Sequence, residues 1–143
     1  MIKNIKIRKI KPEDAKFIEE IQKKITKHQD IDFYHIIKSH LRNEDICFVA
    51  EIDGKIVGYM ISYIICGGFG IDKGAWIATV GVHPKYMGMG IGKKLAEYVF
   101  KEYKKAGIKH IYTSVKWDSV DLLSFFKTLG FDRSEFINLK KEL

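Results

Sequence analysis

Three glycines at alternate positions, Gly88, Gly90 and Gly92, stand where a predicted strand gives way to a predicted helix. The first turn of a helix carries backbone N–H groups without partners and the positive end of the helix dipole. Residues that lack a β-carbon let anionic oxygens come close to those groups. The segment from Val80 to Lys94 is therefore typical of a phosphate or diphosphate site, although a glycine run of this kind can also be turn chemistry alone.

Two common nucleotide-binding motifs do not fit this segment. A dinucleotide-binding fingerprint would need its third glycine at Lys93 and an acidic residue about 20 positions further on, near Tyr112. A Gly-x-x-x-x-Gly-Lys loop followed by Ser or Thr would need glycine at Met87 and a hydroxyl at Lys94. The residues present exclude both motifs.

Gly81 lies inside the predicted strand Ala75 to Val82. An interior glycine marks either a bulge where a ligand approaches or a place of tight packing, and the sequence leaves both open. If the strand separates from its neighbour here, the N–H of Val82 can hold an extended, amide-bearing ligand as a sheet edge holds a peptide.

The net charge of +7 favours polyanionic partners, but the lysines are spread along the chain and no nucleic-acid-binding module is present. Nucleic acid is therefore not the expected partner. The five histidines and the two cysteines, Cys47 and Cys66, show no metal-ligand spacing, so no metal is expected. We expect both cysteines to be buried in a reducing compartment.

The remaining pattern alternates strands with helices. It predicts one domain over residues 1–143, and no run is long and apolar enough for a membrane helix or a secretion signal, which favours a cytoplasmic protein. The predicted elements are a strand near Ile5 to Ile10, a helix after Pro12, a helix from Ile31 to Leu41, strands Ile46 to Glu51 and Lys55 to Ile65 around Asp53-Gly54, a loop Cys66 to Gly74, the strand Ala75 to Val82, a helix from Ile91 to near Gly107, a strand at Ile108 to Val115, a helix Ser119 to Leu129 with Leu122, Phe125, Phe126 and Leu129 inward, and a closing strand in Phe131 to Leu143.

The chain resembles the GNAT superfamily of N-acetyltransferases. The family's Val-x-Pro and its following Arg or Gln-x-x-Gly-x-Gly or Ala coincide with Val82-His83-Pro84 and Met87 to Gly92. The Asp53-Gly54 hairpin and the segment Phe125 to Phe131 also resemble the family. This resemblance implies an α/β fold with a central, mostly antiparallel sheet flanked by helices, whose fourth and fifth strands are splayed.

The resemblance also implies an activity. It is the transfer of an acetyl group from acetyl-CoA to a primary amine of a small molecule or peptide, by direct attack in a ternary complex. The N–H of Val82 is expected to polarise the thioester, with His83 as a candidate base and Ser119 as a candidate donor. A homodimer is a possible assembly. The residues implied in coenzyme binding are Val80, Gly81, Val82, Met87, Gly88, Met89, Gly90, Ile91, Gly92, Lys93, Ser119 and Phe126.

Four positions depart from the family pattern. Met87 replaces an Arg or Gln, and Phe126 replaces a tyrosine that protonates the departing thiolate. Ser119 and Ser114 stand where an asparagine and a glutamate base are frequent. These departures leave open a second interpretation, a CoA-binding or dimerisation module with little or no turnover. The sequence also leaves open whether Trp76 and Trp117 line an acceptor pocket or fill the core.

Overall fold

A computed structural model describes residues 4–26, 32–42, 45–66 and 73–143. The predicted loop Cys66 to Gly74 falls mostly outside these ranges. The strands and helices are β1 (Lys6–Lys9), α1 (Ala15–Ile25), α2 (Phe33–Arg42), β2 (Cys47–Ile52), β3 (Lys55–Cys66), β4 (Lys73–Val82), α3 (Ile91–Lys105), β5 (Ile111–Thr113) and α4 (Val120–Thr128), with short 3₁₀ turns at Pro12–Asp14 and Pro84–Tyr86.

The five strands form one sheet in the order β1-β2-β3-β4-β5. The first four are antiparallel to their neighbours, whereas β5 runs parallel to β4. A parallel neighbour requires a crossover, and α3 supplies it. The predicted mostly antiparallel α/β fold, flanked by helices, is confirmed.

Each face of the sheet has its own apolar core, because side chains alternate between the faces along a strand. Val57, Met60 and Ala75 belong to the core that contains the buried face of α3. Val49, Tyr59 and Ile61 pack with residues of α1 and α2 on the other face. The hairpin between β2 and β3 turns at Asp53 and Gly54, whose φ angles of 53° and 76° match the predicted two-residue turn.

A β-bulge interrupts β4. Thr79 pairs with Ile61 and Ile77 pairs with Ser62, so Ala78 is one residue in excess on β4. The extra residue changes the alternation: Ile77 before it and Val80 after it both face the α3 core. The side of β4 that faces α1 and α2 therefore carries Trp76, then Thr79.

Three sequence predictions are wrong. Residues 131–143 form no strand, because the segment contacts β5 and the residue after it through side chains and not through a backbone ladder: Phe136 lies against the ring of Tyr112, and Asn138 donates to the hydroxyl of Ser114. Leu122 is 40% exposed because only the later turns of α4 reach the core.

Cys66 is exposed because it ends β3, whereas Cys47 is buried as expected. Burial raises the pKa of the Cys47 thiol to about 12, so this thiol is not a nucleophile at neutral pH.

Candidate functional site

β4 and β5 run together for only three residue pairs. β5 pairs with Ala75, Trp76 and Ile77, and the hydroxyl of Thr113 donates to the carbonyl of Ile77 at 2.9 Å at the last pair. β4 continues to Val82, and β5 does not accompany it. We call the opening beside residues 78–82 of β4 the cleft. The predicted splaying of the fourth and fifth strands is confirmed.

Two residues of β4 direct their backbone polar groups into the cleft. The N–H of His83 donates to the carbonyl of Val57 at 2.8 Å, and Val82 pairs with Gly58. Because N–H groups alternate in direction along an antiparallel strand, Val82 and Val80 point their N–H and C=O groups away from β3. Backbone groups in this arrangement are free of β3, and the ligand-binding role expected of Val82 stays a prediction.

The cleft leads to the start of α3. Gly88 and Gly90 have φ angles of 83° and 79°, which glycine adopts without strain. A β-carbon at either position would meet no atom within 4 Å, so the space in front of the helix is open. Ile91, Gly92 and Lys93 form the first turn of α3, whose N–H groups have no partner within the helix. We call residues 88–93 the cradle, and its geometry suits an anion.

Gly81 and Gly92, the other glycines between Val80 and Lys94, serve packing. A β-carbon on Gly92 would lie 2.9 Å from the ring of Phe125, so this position lets α4 approach α3 while its N–H stays in the first turn. A β-carbon on Gly81 would lie 2.6 Å from the ring of Tyr59. Of the two roles considered for Gly81, the structure shows tight packing, and the bulge lies at Ala78 instead.

The side chains around the cradle differ in availability. Met87 and Met89 are 57% and 38% exposed beside it, and the side chain of Lys93 is exposed. Lys94 instead donates from Nζ to the carbonyl of Ile5 at 3.0 Å and ties α3 to the start of β1. Of these two lysines, Lys93 is thus the one placed to attract an anion.

His83 lies at the end of β4, where its ring caps a turn. Its Nδ1 accepts a hydrogen bond from the N–H of Lys85 at 3.1 Å, and its ring packs edge-on against Tyr86. Desolvation and the charges of Lys24, Lys55 and Lys85 lower the pKa of His83 below its ordinary value of 6.5. The ring is therefore neutral at pH 7, and its proton is assigned to Nε2 because Nδ1 is an acceptor.

Ser119 and Phe126 lie on either end of α4. Ser119 is the residue before the helix, half-buried, and its side chain makes no capping hydrogen bond. Phe126 is 5% exposed and packs edge-on against Phe125 and Phe131. The hydroxyl of Ser114 is held by Asn138. Phe126 therefore sits in the apolar core, and its ring has no proton to donate.

The sequence reasoning missed a polar cluster beside the bulge. The hydroxyl of Tyr59 donates to Oε1 of Gln22 at 2.5 Å, and the side chain of Thr79 lies near the same hydroxyl. Burial raises the pKa of Tyr59 to about 12, so it stays protonated. Tyr59 lies in a strand, Gln22 in α1 and Thr79 in β4, and nothing in the sequence links the three before the sheet register is known.

The described residues contain no group of three His, Cys, Asp or Glu side chains placed to hold a metal ion. Among the helices of the described ranges, none has the length and apolarity needed to cross a membrane.

Comparison with known proteins gives a consistent result. The model of the Acetyltransferase (GNAT) family matches residues 13–131. An aminoglycoside acetyltransferase from an uncultured soil metagenomic sample is 22% identical, with a TM-score of 0.78, over 97% of this chain and 96% of that one. The aminoglycoside N-acetyltransferase AAC(6')-Iy was solved with a CoA-containing bisubstrate analogue. It is 16% identical, with a TM-score of 0.82, over 98% of this chain and 99% of that one.

A ribosomal-protein-alanine N-acetyltransferase from Brucella melitensis biovar Abortus 2308 is 13% identical, with a TM-score of 0.78 over 98% of this chain and 99% of its own. These similar structures share the fold at low identity, and the family model covers most of the chain, including the cleft and the cradle. The chain belongs to the GNAT family of acetyltransferases.

Proposed function

We propose that the protein binds acetyl-CoA in the cleft and transfers the acetyl group to a primary amine of a small molecule or peptide. The observation that carries this proposal is the separation of β4 from β5 after Ile77. It leaves the backbone N–H and C=O groups of Val80 and Val82 facing an opening that ends at the cradle. The solved complex of AAC(6')-Iy with a CoA-containing analogue supports the same ligand class.

In this proposal the N–H groups of the cradle hold the pyrophosphate, and the exposed side chains of Met87, Met89 and Lys93 flank it. The backbone N–H and C=O groups of Val80 and Val82 hold the amides of the pantetheine arm. The thioester then lies near the closed end of the cleft, where a backbone N–H polarises its carbonyl. Val82 is the predicted donor, and Val80 lies nearer to the closed end.

The amine attacks the thioester carbonyl directly. The C–N bond forms, the C–S bond breaks, the thiolate leaves, and the nitrogen loses a proton to water. The cleft residues support a mechanism of positioning rather than of covalent catalysis, because Cys47 is buried away from the cleft and Tyr59 keeps its proton. Water is thus the proposed proton acceptor, with His83 as the alternative base, and Ser119 is a proposed hydrogen-bond donor.

A CoA-binding module with little turnover is the second candidate. It is favoured by Phe126, which is buried and has no proton to give, and by Ser114, whose hydroxyl is occupied by Asn138. In such a module the cradle would bind CoA, and no amine would be acetylated.

Calorimetric titration with acetyl-CoA, followed by a thiol-release assay, tests both candidates. We expect binding, and release of CoA thiol with at least one amine from a panel of arylalkylamines, polyamines, aminoglycosides, amino acids and peptide N-termini. Binding without release on any amine would favour the module. A lack of binding would overturn both.

We also propose a homodimer formed by the C-terminal part of the chain. This part carries exposed large apolar side chains: Val120, Leu122, Leu123, Ile137, Leu139 and Leu143. β5 is one of the two edge strands of the sheet, and an edge strand favours pairing with another chain. Light scattering should give twice the chain mass, and the Leu139→Glu substitution should shift it toward the monomer.

A further inference from the structure

Three aromatic residues stand side by side across the sheet. Tyr63 of β3 is paired in register with Trp76 of β4, and Trp76 is paired with Tyr112 of β5. The rings of Trp76 and Tyr112 are stacked, with centroids 6.5 Å apart and planes 24° apart. We call these three residues the aromatic row. Its rings are partly exposed, so it is a surface and not part of a core.

The row lies on the sheet face that packs against α1 and α2. His40 of α2 stacks on Tyr63 at 5.5 Å, which places that ring on this side. The neighbours of Trp76 along β4, Ala75 and Ile77, belong to the opposite core around α3. Because side chains alternate along a strand, Trp76 faces away from that core.

The row also lies at the closed end of the cleft. Trp76 precedes Ile77, the last residue of β4 that pairs with β5, and the bulge residue Ala78 that follows is exposed. An acceptor can therefore approach the thioester over the row from this face. The three residues of the row are partly exposed, so a ligand can reach their rings.

The charges of the described residues near the row do not favour a polycation. Among these residues, Asp45 is a carboxylate that contacts the row through His40, and both of its oxygens are engaged. One contacts Nδ1 of His40 at 2.9 Å, and the other accepts the N–H of Ile64 at 3.2 Å. The chain as a whole has a net charge of +7. The row offers π faces, which attract a single ammonium group and stack on planar rings.

We propose that the aromatic row is the acceptor subsite and that it selects amines attached to a planar aromatic ring over polyamines. The ring of the acceptor lies on Trp76, and its amine extends past Ala78 to the thioester. This inference rests on the proposed function for the location of the thioester, but binding of the amine can be measured without turnover.

The test measures amine affinity by calorimetry, with the protein both free and saturated with CoA. The probes are 2-phenylethylamine, 2-cyclohexylethylamine of similar size, and spermidine. The variants are Trp76→Ala, Trp76→Phe and, as a matched control, Trp117→Ala, because Trp117 is 88% exposed and does not belong to the row. With Trp117→Phe, Trp76 becomes the sole tryptophan, and its fluorescence reports contact.

We expect 2-phenylethylamine to bind about tenfold more tightly than the other two probes, and Trp76→Ala to lose about tenfold in affinity. Trp76→Phe should retain most of the affinity and Trp117→Ala all of it, and Trp76 fluorescence should change on binding. Equal or tighter binding of spermidine, an equal loss in both alanine variants, or no amine binding would overturn the proposal. Amine binding without acetyl transfer would instead contradict the proposed activity and leave the acceptor subsite standing.

Discussion

The two halves of β4 differ in what lies beside them. From Ala75 to Ile77 the strand is flanked by β3 and β5, and its residues pack into a core or the aromatic row. From Ala78 to Val82 it has β3 on one side and the cleft on the other. The change occurs at the bulge, where the alternation of side chains shifts by one residue. One continuous strand thus provides a fixed support and an exposed backbone for a ligand.

A substitution in the cradle should reduce acetyl-CoA affinity more than any other change proposed below. Gly90→Val forces a β-branched residue into a left-handed backbone and puts a side chain into space that is now empty. We expect acetyl-CoA affinity to fall about 100-fold, or ~2.7 kcal/mol. Calorimetry measures the change.

Gly107→Val is the matched control, because Gly107 has a similar φ of 81° and equally open surroundings at the other end of α3. It should lower stability by a similar amount and leave the affinity unchanged. If both variants lose affinity alike, backbone strain and not the cradle explains the loss.

Gly81 tests packing against β3. Gly81→Ala places a methyl group 2.6 Å from the ring of Tyr59, which is fully buried and held by Gln22. We expect the free energy of unfolding to fall by about 2 kcal/mol because the ring has little room to move. Ala78→Ser, at the exposed bulge, should change it by less than about 0.5 kcal/mol. Urea unfolding distinguishes the two, and equal effects would contradict this description of Gly81.

Met87 is a position where a substitution should strengthen acetyl-CoA binding. Met87→Arg restores the side-chain donor that the family pattern carries beside the pyrophosphate, and acetyl-CoA affinity should rise about fivefold through a charge-assisted hydrogen bond. Met89→Arg adds the same charge on the other side of Gly88 and controls for a general electrostatic effect. An equal gain from both, abolished together by salt, would mean that Met87 has no special position.

Substitution of His83 should have the smallest effect, which is measured on kcat. Its Nδ1 accepts the N–H of Lys85, and its lowered pKa keeps it neutral down to a pH below 6.5. A general base contributes about 100-fold or more, so His83→Gln should change kcat less than about threefold if His83 only caps the turn. NMR titration should find the pKa of His83 below 6.5. A large loss of kcat, with a pH profile that shifts, would instead establish His83 as the base.

Much of the site was predictable from local chemistry. The turn at Asp53-Gly54 and the start of α3 at Ile91 depend on backbone angles that neighbouring residues set, and both were predicted correctly. Fold class followed from the order of elements and from three matched segments. The inward side of α4 and the closing strand were not predictable, because burial there depends on how far the core extends and not on periodicity.

The sequence by itself determined that a glycine-rich turn joins a strand to the start of a helix, since that is a property of consecutive residues. Only the tertiary structure decided what each glycine does: Gly88 and Gly90 leave space, whereas Gly81 and Gly92 admit the rings of Tyr59 and Phe125. It also decided that Tyr63, Trp76 and Tyr112 share one surface. Both results depend on register between distant segments, which a single bulge residue can shift and which only the packed sheet fixes.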